Sequence, residues 1–298
     1  MSGDSTMTHE FALRVGPVPL RIFSDWAGPI ADLRRLYADY PAPDDGIATL
    51  TARISAARPW RRWLRPAVSI GGDFTIPDAL PLPLSQGLLA AEMAMNLQVA
   101  MGWRTHMLLH ASAVERDGRV LLMVGASGSG KSTLAALLGE GDWRLLGDEF
   151  ALLDVENGNI LPFPRLISLK NEAIDVLRAR ACPSRFGPRI PGTPKGDICH
   201  MRPRADAIAR MDAGGAPALL LFPAYGSDNG LRAVPPSEAF FRLTESSTNY
   251  VALGEPGFTA LSQLVRALPA VAVGYQSGEQ AIDMVEALWA ENSGRAAR

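Results

Sequence analysis

Nine consecutive residues carry the plainest chemistry in this 298-residue chain: Gly125, Ala126, Ser127, Gly128, Ser129, Gly130, Lys131, Ser132 and Thr133, which read GASGSGKST. They satisfy G-x-x-x-x-G-K-[ST], and they stand between an apolar run, RVLLMV, and a helical pattern, STLAALLGE. Glycines let such a segment curl so that successive backbone N–H groups converge on phosphate oxygens, and the following helix adds the positive end of its dipole. In that arrangement Lys131 reaches the β- and γ-phosphates and the Ser132 hydroxyl ligates Mg²⁺. A glycine turn that merely joins strand to helix would not need the lysine.

Seventeen positions after Lys131, WRLLG ends in Asp148 and Glu149. A right-handed βαβ unit opens the end of this strand at the same sheet edge as the loop. Two roles are open to Asp148: holding Mg²⁺, or accepting the proton of an attacking hydroxyl. Fifteen positions before Gly125 stands His110, on one strand face with His106. Either a hydrogen-bonded core residue or a functional group fits His110, and the pair lacks the further ligands of a zinc site.

Of the 29 basic residues only Lys131, Lys170 and Lys195 are lysine. A compact ammonium and a planar guanidinium make different contacts, so these three mark places where arginine does not substitute, unless chance put them there.

The elements that must position these groups fall into two parts. Residues 1–82 alternate strand-like runs (FALRV, VPLRIF, TLTARI, AVSIGGDFTIP) with one short helix, PIADLRRLYADY, an N-terminal α+β unit closed by the proline-rich IPDALPLPLSQG. Residues 83–298 open on a long apolar helix carrying Glu92 and Asn96 at i,i+4, then a hairpin joined by Asp117-Gly118 that runs into the glycine loop. Residues 162–216, rich in Pro, Gly and Arg around NEAIDVLRAR, read as loops able to move. Order returns with ALLLFPAY, two helices, PAVAVGY and a closing helix from Gly278.

A net charge of -2 excludes a global field drawing the chain to nucleic acid or anionic membrane. Two cysteines, Cys182 and Cys199, are too few for a disulfide scaffold. MSGDSTMTHE lacks the basic and apolar regions of a signal peptide, and no run approaches a membrane span, so a cytoplasmic location is expected.

His110-Ala111, SGSGKS and LLGDE together resemble HPr kinase/phosphorylase, and WRLLGDE, PFPRLISLKN, TPKGDI and NYVALGEPGF, in that order, resemble the HprK-related kinase A group. The resemblance covers about residues 85 to 275. It implies an α/β P-loop kinase core with a smaller N-terminal α+β unit, ATP and Mg²⁺ as cofactors, and homo-oligomers. Under it Asp148 is the catalytic acidic residue, Glu149 its metal-side neighbour, His110 a residue near the phosphates, and Lys170 and Lys195 contacts for phosphate or protein substrate. FPRLISLKN stands where the family's glutamate-containing signature belongs, so phosphorolysis and HPr itself are not implied. The resulting expectation is transfer of the γ-phosphoryl group to a hydroxyl on a protein or peptide, with an ATPase or a nucleotide-gated binding module as alternatives.

Overall fold

The computed structural model describes residues 8–228 and 230–296; of MSGDSTMTHE, on which the signal-peptide expectation rests, residues 1–7 lie outside them. The architecture is mixed α/β, with several sheets and eight α-helices among the described residues. None of those helices is long and apolar enough to cross a membrane. The chain divides into two compact units, residues 1–103 with 187–199, and residues 104–186 with 200–298.

In the first unit β1 (His9–Val15), β2 (Val18–Ser24), β3 (Leu50–Ala56), β4 (Ala67–Gly72) and β5 (Leu82–Pro83) form one sheet in chain order. Strand β2 alternates buried Val18, Leu20, Ile22 and Ser24 with half-buried residues, the two-residue period of a sheet with one covered face. Helix α1 (Ala27–Leu36) crosses from β2 to its parallel neighbour β3 and buries Ile30, Leu33 and Leu36. Helix α2 (Gly87–Gly102) packs on β3 and β4, and its buried Glu92 accepts a 3.0 Å hydrogen bond from the Tyr37 hydroxyl. By these contacts α2 belongs with the N-terminal sheet, so the unit extends past the expected boundary at residue 82 to Trp103.

The second unit begins with β6 (Met107–Leu109), β7 (Ala111–Arg116), β8 (Arg119–Val124), α3 (Lys131–Gly139), β9 (Arg144–Gly147), β10 (Ala151–Leu153) and β11 (Ile160–Leu161). Residues 162–216 are more regular than their composition suggests. They carry β12 (Ile167–Lys170), α4 (Glu172–Arg178), β13 (Phe186–Thr193), β14 (Gly196–Met201) and α5 (Ala205–Ala209), of which residues 187–199 fall in the segment grouped with the first unit. The rest comprises β15 (Ala216–Tyr225), β16 (Leu231–Ala233), α6 (Pro236–Ser246), α7 (Tyr250–Ala267), β17 (Ala270–Tyr275) and α8 (Gly278–Ala296).

A six-stranded sheet ordered β16-β17-β15-β8-β7-β9 is the frame of this unit. Strands β8, β15 and β17 are parallel, whereas β7 runs against both β8 and β9. Strand β9 therefore points the same way as β8, one strand removed from it rather than beside it. Asp117 and Gly118, both at positive φ, close the β7–β8 hairpin, as Asp-Gly turns do. One face of the sheet buries Val120, Leu122, Val124, Leu220 and Phe222 with Leu243 of α6 and Leu261 and Leu264 of α7. Helices α3 and α8 pack on each other and on the sheet outside that cluster.

At the end of β7 and β9 remote from the glycine loop, Arg144 and Glu115, each 3% exposed, form a 2.7 Å ion pair. Arg144 also donates to the carbonyls of Arg210 and Ala213 at 3.0 and 2.7 Å, so its charge is buried with its donors satisfied. The register then shifts between Val114 and Ala113, which brings Gly147 opposite Ala113.

Candidate functional site

Strand β8 ends at Val124 and the chain turns through Gly125–Gly130 into α3, the strand-loop-helix order expected from the motif. Gly128 and Gly130 take φ of 86° and 96°, a left-handed region that costs side-chain-bearing residues free energy. Gly130 is constrained twice, because a Cβ there would lie 2.1 Å from the Tyr275 hydroxyl oxygen. The loop is tied down by two backbone bonds, Ser129 N–H to the Ala126 carbonyl at 3.2 Å and Tyr225 N–H to the Ser129 carbonyl at 3.1 Å. Ala126, Ser127 and Gly128 form its exposed rim, and Thr133 is half-buried on α3.

Lys131, the first residue of α3, is 7% exposed. Its Nζ donates to the carbonyls of Gly125 and Ala126 at 2.6 and 3.0 Å, which holds the ammonium over the loop. Burial lowers its proton affinity, the carboxylates of Asp148 and Glu149 oppose that shift, and the charge of Lys170 adds to it. Lys170, at the end of β12, is thus electrostatically part of the same cluster. Lys195 lies in the turn between β13 and β14, in the segment grouped with the first unit, where its N–H donates to the Thr193 hydroxyl.

Asp148 follows β9 directly and is 1% exposed. Its Oδ1 accepts a 2.6 Å bond from the Ser112 hydroxyl and its Oδ2 a long 3.4 Å contact from the Ser168 N–H, and the Ser132 hydroxyl is near enough to favour its charged form. Burial pushes its pKa above the ordinary carboxylate value; Glu149 adds to the rise, and the three donors oppose it. A carboxylate two sheet positions from the glycine loop thereby lies within electrostatic reach of the loop lysine.

Glu149 adopts φ 68°, and the Phe150 N–H donates to the Asp148 carbonyl at 2.9 Å across it. An i+2 to i bond around a positive-φ residue is a γ-turn of the rarer, strained hand. It sends the two carboxylates to different environments. Asp148 is buried, whereas Glu149 is partly exposed with Oε2 3.5 Å from Nδ1 of His110. His110 sits between β6 and β7, its N–H bonded to the Ser246 carbonyl at 2.8 Å and its ring edge-on to Phe150. Its partner is Glu149, not Asp148. His106, whose proton affinity is lowered by burial, forms no metal cluster with it, and no group of three or more metal-binding side chains occurs among the described residues.

Three residues here were not singled out from the sequence. Ser112 is a polar side chain, 0% exposed, in the otherwise apolar strand ASAV, a signal the sequence does carry. Tyr225 and Tyr275 stand opposite each other at the ends of β15 and β17, with ring centroids 5.9 Å apart. Burial, then the neighbouring Tyr225, pushes the Tyr275 hydroxyl up to about 12, so it stays protonated.

No protein-family model matches the chain, and no curated protein matches it. Among solved structures it is similar to the Hpr(Ser) kinase/phosphatase from Coxiella burnetii, with 13% identity and a TM-score of 0.30 over 64% of this chain and 99% of that one. A likeness at that level carries no argument about function, which rests here on the side chains themselves.

Proposed function

We propose that the second unit is an ATP-dependent phosphotransferase, a P-loop kinase core that moves the γ-phosphoryl group of ATP to a hydroxyl on a protein or peptide. The observation that carries this reading is the burial of Asp148 within electrostatic reach of the loop lysine, Lys131, which puts the acidic strand end beside the start of α3. Residues 125–130 suit a polyphosphate, because Gly128 and Gly130 hold the left-handed conformation through which such a loop aims successive backbone N–H groups at an anion. Ser132, Asp148 and Glu149 are the hard oxygen donors that Mg²⁺ prefers, a set of few protein ligands that leaves room for phosphate and water. When bound, Mg²⁺ supplies charge neutralisation at the phosphates.

Each side chain then has a distinct task. Lys131 leaves the loop carbonyls to pair with phosphate oxygens, so its positive charge is already positioned where negative charge builds up in the transition state. Asp148 accepts the proton of the acceptor hydroxyl. Its raised proton affinity suits a base, and Ser112 fixes the carboxylate's orientation. Lys170 adds a second cation to the cluster.

A second reading, hydrolysis with water as acceptor, draws on the Glu149–His110 contact, because a partly exposed carboxylate beside an imidazole can orient water. The two readings separate on product identity. With γ-labelled ATP and a cell lysate, the kinase reading predicts label on a macromolecule, retained when Glu149 is changed to Gln. Label recovered only as free phosphate, and lost in Glu149→Gln, would replace it with the hydrolytic one.

A further inference from the structure

The first unit carries a feature that the kinase reading does not use. Residues 47–72 contain Arg53, Arg58, Arg61, Arg62 and Arg65 and no aspartate or glutamate, in a chain whose net charge is negative. Within this stretch Pro59–Arg62 form a 3₁₀ turn, continued by Trp63 and Leu64 N–H groups that both donate to the Trp60 carbonyl, at 3.3 and 3.0 Å. One helical turn therefore sets Trp60, Trp63 and Leu64 side by side at i, i+3 and i+4. They are 52%, 72% and 66% exposed, a costly display of large apolar surface.

The display is built, not loose. The Trp26 indole N–H donates to the Arg62 carbonyl at 3.1 Å, and Arg62 reaches Asp25 at 3.7 Å, which pins the turn beside the start of α1. Arg61 donates to the Arg65 carbonyl at 3.1 Å. Arg58 and Arg62 lie over the rings of Trp60 and Trp63, at 5.3 and 6.0 Å from their centroids. Arg58, Arg61 and Arg65 have no carboxylate within salt-bridge distance among the described residues. Alongside runs an open groove of about 450 Å³ between Arg61 and Arg65 on one side and Pro83 and Leu84 on the other.

We propose that this turn docks on a phospholipid bilayer bearing anionic headgroups. Tryptophan and arginine share the membrane-water interface, where the indole sits at headgroup level and the guanidinium pairs with phosphate. A nucleic acid would also take arginine and tryptophan but would leave Leu64 in water, whereas an interface buries all three apolar side chains. The expectation of no membrane partner came from global charge; the local balance over residues 47–72 is opposite in sign.

The test is sedimentation of the full chain with vesicles of phosphatidylcholine alone or with phosphatidylglycerol added. Binding to the anionic vesicles should exceed binding to the neutral ones by about tenfold or more and weaken as salt rises. Joint replacement of Trp60, Trp63 and Leu64 by Ser should abolish it at unchanged melting temperature, and Arg58→Gln with Arg61→Gln and Arg65→Gln should do the same. Equal partition to both vesicles, anionic binding that survives either set of changes, or capture of an oligonucleotide or poly-glutamate while vesicles are ignored would overturn the proposal.

Discussion

Ser112 and Asp148, 36 positions apart in the chain, meet through a 2.6 Å hydrogen bond in which the serine hydroxyl donates to a buried carboxylate. The bond stabilises the charged form of a group that burial otherwise drives toward protonation. In Ser112→Ala the carboxylate should bind its proton more tightly still. A base works only when deprotonated, so the acid limb of the pH-rate profile should move up by about 0.5–1 unit, with a smaller loss on the alkaline side. A profile that stays in place would mean that Asp148 does not titrate in the rate-limiting step.

Stability should respond in the opposite sense to activity when Asp148 becomes Asn. Because the folded pKa is raised above the unfolded one, the native state holds more protons between the two values. Stability from this group is therefore present at low pH and lost as pH rises through the folded pKa. Asp148→Asn removes the buried charge, so at pH 8, without nucleotide or metal, the melting temperature should rise by about 2–4 °C and vary less between pH 5 and pH 8. A lower melting temperature at pH 8 would contradict the assigned direction of the shift.

Gly130 faces two penalties at once: a φ of 96° and a Cβ position 2.1 Å from the Tyr275 oxygen. Gly130→Ala should weaken ATP binding measured by calorimetry by about tenfold or more, and chemical denaturation should register a loss of about 1–3 kcal/mol. Adding Tyr275→Phe relieves the clash but not the backbone strain, so the double variant should recover only part of either loss. Full recovery would assign the whole effect to the tyrosine.

Glu149 holds the strained turn that separates it from Asp148, with φ 68° and a 2.9 Å bond closing around it. Glycine tolerates that φ, so Glu149→Gly should stabilise the protein by about 1 kcal/mol in urea titration. Destabilisation would place the His110 contact above the backbone strain in importance.

The local features of this fold were legible because they rest on short-range chemistry. GASGSGKST between an apolar strand and a helix, Asp117-Gly118 at a hairpin and Asp148 at a strand end all depend on neighbours in sequence. Long-range pairings were not legible. Tyr275 reaches Gly130 only because β15 joins the sheet beside β8 and β17 beside β15, strands that begin at Ala216 and Ala270, far later in the chain. Likewise, the apolar run of α2 states that the helix is buried but not against which sheet, and its packing on β3 and β4 decides that. Residues 162–216 looked like loops because proline and glycine interrupt the two-residue period that marks a strand, yet β13 accommodates both.

The account stands on one spatial claim, that Asp148 acts on phosphate held by the glycine loop. Single-turnover transfer from γ-labelled ATP by wild-type protein and by Asp148→Asn, with ATP affinity measured on the same samples, tests it most directly. Retained affinity with transfer slowed by about a thousandfold or more is the predicted result. Transfer at the wild-type rate by Asp148→Asn would contradict it.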